Sequence, residues 1–175
     1  MPNLDLDQLL QVATQYSREV MQTHGNMPPT LIAAAAGDVI VFSPAPFRKP
    51  ADTAQFAEVA RLVAAGFHAH TVVIVLTMWS LYSKGQEKPK LRPSESPDRK
   101  EAVLIAAESR EGNVQRLLCI ERDTSGNFSG FSPEDTRPFD EMDGPFADIL
   151  SQTFPTPSEA LTARSRLKEM GFVIP

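Results

Sequence analysis

TVVIVLTMW, residues 71–79, is nine residues long and contains no charge, glycine or proline. A β-branched apolar run of that length predicts a central strand buried on both faces. Side chains two apart share a face, so Val72, Ile74 and Leu76 lie on one side and Val73 and Val75 on the other. An antiparallel sheet with one wet face would alternate apolar and polar residues instead. The second face must therefore be covered, by another helix layer or by a second subunit.

Working outward, Leu6, Leu9, Leu10, Ala13, Tyr16 and Val20 recur at three- and four-residue steps, the stripe of an amphipathic helix. Gly25 can end that helix in a left-handed conformation, and His24 sits in its last turn. Apolar runs at 31–35 and 39–42 flank Gly37-Asp38 and predict a hairpin. A second helix is expected from about Asp52 or Thr53, with Phe56, Val59, Ala60 and Val63 inward and Gly66 at its end. Beyond the central strand, residues 84–99 are polar and proline-bearing and read as a long loop. Residues 101–108 and 114–121 are the next strands, and 128–131 can add a short edge strand. In the acidic stretch that follows, Phe146, Ile149 and Leu150 can form a short helix docked on the core. Thr156-Pro157-Ser158-Glu159 is a capping box with proline at the first helical position. It predicts a last helix with Leu161, Leu167 and Met170 on its apolar side and Gly171 at its close.

The order is helix, strand, strand, helix, three strands and a last helix (αββαβββα). It gives an α+β fold: a mainly antiparallel sheet of about five strands with helices packed on it. Residues 1–175 read as a single domain, with 132–175 as a C-terminal extension. The order resembles that of roadblock-type and profilin-like domains, which serve as interaction or dimerisation platforms.

Composition narrows the function classes. No run approaches the roughly 18–20 apolar residues of a membrane span. Cys119 is the single cysteine, set in an apolar strand, so no internal disulfide forms. With no signal-peptide pattern at the N-terminus, a cytoplasmic location is expected. Net charge is −5, yet residues 84–100 carry six basic and three acidic side chains, a local +3 that leaves −8 elsewhere. That acidic body disfavours nucleic-acid binding.

Two groups of residues can carry chemistry. His68 and His70 would face one side of a strand and reach one metal ion. The same spacing opens the zinc motif of JAB/MPN-type hydrolases, but Met78 and Leu81 stand where that motif needs serine and aspartate. The second group is the loop Arg92-Pro93-Ser94-Glu95-Ser96-Pro97-Asp98-Arg99, with Trp79 and Tyr82 at the strand end below it. Arg92 and Arg99 can fork onto an anion above an aromatic floor, and Glu95 and Asp98 can equally stitch the loop together. No phosphate-loop, dinucleotide or nucleophile-elbow motif occurs.

His24-Gly25-Asn26-Met27-Pro28-Pro29, Trp79 and residues 92–99 together resemble a family of small bacterial and phage proteins. The likeness covers roughly residues 20–125 and implies a shape and no reaction. Two functions stand from sequence. One is a non-catalytic accessory protein that self-associates or binds a protein partner, without a cofactor. The other is a small metal-dependent hydrolase-like enzyme centred on His68 and His70. The candidate binding residues are Trp79, Tyr82, Arg92, Glu95, Asp98 and Arg99.

Overall fold

The computed structural model describes residues 5–35, 37–80, 99–132, 135–138, 146 and 148–174. Helices α1 (Leu6–His24), α2 (Pro50–Gly66) and α3 (Pro157–Glu169) pack on seven strands. These are β1 (Thr30–Ala35), β2 (Asp38–Phe42), β3 (Thr71–Ser80), β4 (Lys100–Ser109), β5 (Gly112–Arg122), β6 (Phe128–Phe131) and β7 (Asp135–Pro138). The order across the antiparallel sheet is β2-β1-β3-β4-β5-β6, and β7 also pairs with β5. The α+β class stands, with β6 and β7 bringing the strands beyond five.

A helix layer covers each face of the central strand. Val73 and Val75 pack with Ile32, Val103, Ile105 and Leu118 under Leu9, Leu10, Ala13 and Met21 of α1. Val72 and Ile74 pack with Leu31 and Ala33 against Phe56, Val59, Ala60 and Val63 of α2 and Leu167 of α3. The double-sided apolar run of β3 thus has its cause within one chain. Helix α1 starts at Asp5, whose carboxylate accepts the Gln8 N–H while the Gln8 side chain accepts the Asp5 N–H. It stops at Gly25 with φ 71°, a left-handed conformation that costs a Cβ-bearing residue more.

Three expectations need correction. Helix α2 begins at Pro50 rather than Asp52 or Thr53, because the Asp52 carboxylate accepts the Arg48 and Lys49 N–H groups ahead of it. Gly66 is the last residue of α2, as expected, and the left-handed residue between it and β3 is His68, at φ 53°. The absent side chain of Gly66 also makes room for α3, since a Cβ there would lie 3.2 Å from Arg164 Cγ where α3 crosses α2. Phe146, Ile149 and Leu150 form no helix: Phe146 and Asp148 lie in turns, and Asp148 has φ 53°. Leu161 is 64% exposed, because the buried stripe of α3 runs through Ala160, Ala163 and Leu167. The small residues in that stripe let α3 approach α2 closely.

Candidate functional site

The corner at the end of β3 joins two of the expected binding residues. Arg99 Cζ lies 4.5 Å from the centroid of the Trp79 ring, a cation–π pair with Trp79 42% exposed. Trp79 is opposite Glu101 in the β3–β4 register. Glu101 accepts two hydrogen bonds from Arg122, at 2.8 and 3.0 Å, and this raises the Arg122 pKa. Arg122 also donates to the carbonyls of Gly25 and Gly126, tying the end of α1 to the β5–β6 turn. Tyr82, Arg92, Glu95 and Asp98 lie outside the described residues.

The two histidines do not share a strand. Both precede β3, and the left-handed backbone of His68 breaks the extended geometry that would align the rings. His70 Nδ1 is 3.1 Å from Thr71 Oγ1, and its main-chain N–H donates to Ala34. Among the described residues, no three His, Cys, Asp or Glu side chains gather at a position suited to a metal ion.

Sequence reading missed a third region, around β2. Ala35 pairs with Asp38 across a two-residue turn, so Asp38, Ile40 and Phe42 direct their N–H and C=O groups to β1. Val39 and Val41 turn theirs to the open side, where no described residue pairs with them. Their side chains are 47% and 52% exposed, whereas Ile40 and Phe42 face the α2 side and pack into that core.

On that side a cavity of about 590 Å³ lies between β2, the end of α2, α3 and residues 172–174. Its apolar wall includes Ile40, Phe42, Val63, Phe67, Leu167 and Phe172, and Val39 and Val41 of the open edge also border it. The Phe42 and Phe172 rings meet edge to face at 5.1 Å. Its polar groups include Asp38, His68 and Arg164. Arg164 Nε donates to Gly66 O at 2.6 Å, and its Cζ is 5.1 Å from the Phe67 ring. Among the described residues, the two η nitrogens of Arg164 and the His68 ring have no hydrogen-bond or ion-pair partner. No spacing rule joins positions 38–42, 67–68 and 164–174, so only folding brings this region together.

No protein-family model matches the chain, and no curated protein or solved structure matches it either. Among the described residues, no helix is long and apolar enough to cross a membrane.

Proposed function

We propose that this is a cytoplasmic, non-catalytic interaction protein that self-associates by pairing β2 with β2 of a second copy. The observation that carries the reading is the outward main chain of Val39 and Val41, flanked by exposed valine side chains. Such an edge templates strand addition, and lysine or proline within an edge strand commonly blocks it. Asp38-Val39-Ile40-Val41-Phe42 contains neither.

The strand is also self-complementary. A two-fold axis through Ile40 sets Val39 opposite Val41 of the second copy, with main-chain hydrogen bonds at both valine pairs. Asp38 then faces Phe42 of the second copy, so no two like charges oppose each other. A five-residue edge makes a contact at the small end of specific interfaces, which implies reversible dimers with Kd on the order of 1–100 μM.

Sedimentation equilibrium tests this. The double variant Val39→Lys, Val41→Lys sets lysines opposite one another on the paired edge. It should weaken dimerisation about tenfold or more and leave the melting temperature within about 2 °C, because both sites are exposed. A wild-type chain that stays monomeric at several hundred micromolar, or a double variant that dimerises normally, overturns the reading.

A further inference from the structure

We infer that the cavity beside β2 binds a small organic carboxylate with an apolar body. This goes beyond self-association and uses side chains on the other face of the strand. A volume of about 590 Å³ falls within the range of small-molecule sites, which combine an apolar lining with a few placed polar groups. Here the lining supplies three phenylalanine rings (Phe42, Phe67 and Phe172), and the polar groups are few.

Charge selects the ligand. Arg164 is half-buried, and its bond to Gly66 O fixes Nε and orients the guanidinium plane while the η nitrogens keep their donors. A planar fork of N–H groups matches a carboxylate, and an apolar surround strengthens the pair. His68 adds a half-buried imidazole with no hydrogen-bond or ion-pair partner among the described residues. Asp38 is the opposing charge on the lining; it is exposed and makes no ion pair with Arg164 or His68. It would weaken anion binding without excluding it. A ligand with a cationic head would meet Arg164 inside the apolar wall and be rejected.

Isothermal titration calorimetry with decanoate, and with decyltrimethylammonium as a probe of equal chain length and opposite charge, decides the matter. Decanoate should bind and the cationic probe should not. Arg164→Gln should weaken decanoate about tenfold or more, the usual size of a lost charge-assisted pair. His68→Gly should weaken it several-fold while holding or raising the melting temperature, because glycine suits φ 53°. Asp38→Asn should tighten it. Arg164→Gln also removes the bond to Gly66, so His68→Gly and the paired probes remain decisive if that variant unfolds. Equal binding of both probes, or decanoate affinity unchanged in His68→Gly and in a folded Arg164→Gln, overturns the assignment.

Discussion

Replacing Glu108 with alanine should destabilise the protein by roughly 3 kcal/mol and lower its melting temperature by about 6–12 °C. Glu108 is 7% exposed at the end of β4, and its two carboxylate oxygens accept the N–H groups of Ile149 and Leu150 at 3.0 and 3.1 Å. Ile149 and Leu150 are themselves buried, at 3% and 6% exposure. Water cannot replace the lost acceptors without opening the core, so the alanine variant leaves two buried donors unsatisfied. Each such donor costs about 1–3 kcal/mol. The loss is a large part of a total stability of about 5–15 kcal/mol. A fall of less than about 2 °C would show that this anchor does not hold the segment, and limited proteolysis between 146 and 155 would locate any local release.

The same residue fixes a sign for the pH dependence. Burial raises the Glu108 pKa above the ordinary value near 4.5, against the two backbone N–H groups that lower it. Asp148 adds to the rise and Arg61 opposes it. A pKa higher in the folded than in the unfolded state means that the fold favours the protonated acid. The contribution is therefore fully present below the unfolded value and is lost as pH rises through the folded one. Wild type should gain on Glu108→Gln as pH falls from 8 towards about 5, since glutamine does not titrate. Melting curves of both across that range check it, and a wild type that loses ground to Glu108→Gln on acidification would show that the two N–H groups outweigh burial.

Fold and site differ in how far they can be read from sequence, and the reason is locality. The β3 run, the α1 stripe and the Thr156–Glu159 box each contain their own signal within a few residues, and all three appear where expected. Strand β7 escaped because Asp135-Thr136-Arg137-Pro138 has no apolar alternation; its pairing with residues 114–117 of β5 defines it. Glu108 looked like the polar end of an apolar strand. Its burial is set by Ile149 and Leu150, about forty residues on. The left-handed residue after α2 carried no local signal, since that backbone is the habit of glycine and here His68 adopts it. Of the residues expected to bind, the structure joins Trp79 and Arg99. The cavity walls come from β2, α2, α3 and residues 172–174, and no one of these segments signals it alone.

Phe56→Ala should cost about 3–5 kcal/mol, the usual range for an aromatic cut from a packed core. Phe56 is 2% exposed and is the hub of an aromatic cluster: its ring centroid lies 6.0 Å from Phe42, 5.5 Å from Phe47 and 5.8 Å from Phe146. Those partners belong to β2, the segment before α2 and the stretch beyond β7, so one side chain links three parts of the chain. Phe56→Leu keeps most of the volume and loses the ring contacts, and its cost should fall to about 1–1.5 kcal/mol. Urea denaturation of the two variants separates volume from ring geometry. Because Phe42 also forms the cavity wall, a loosened Phe56 site should lower decanoate affinity in the alanine variant more than in the leucine one. Equal stabilities for the two variants would mean that the site collapses freely around the smaller side chain. The aromatic cluster would then play no part in shaping the cavity.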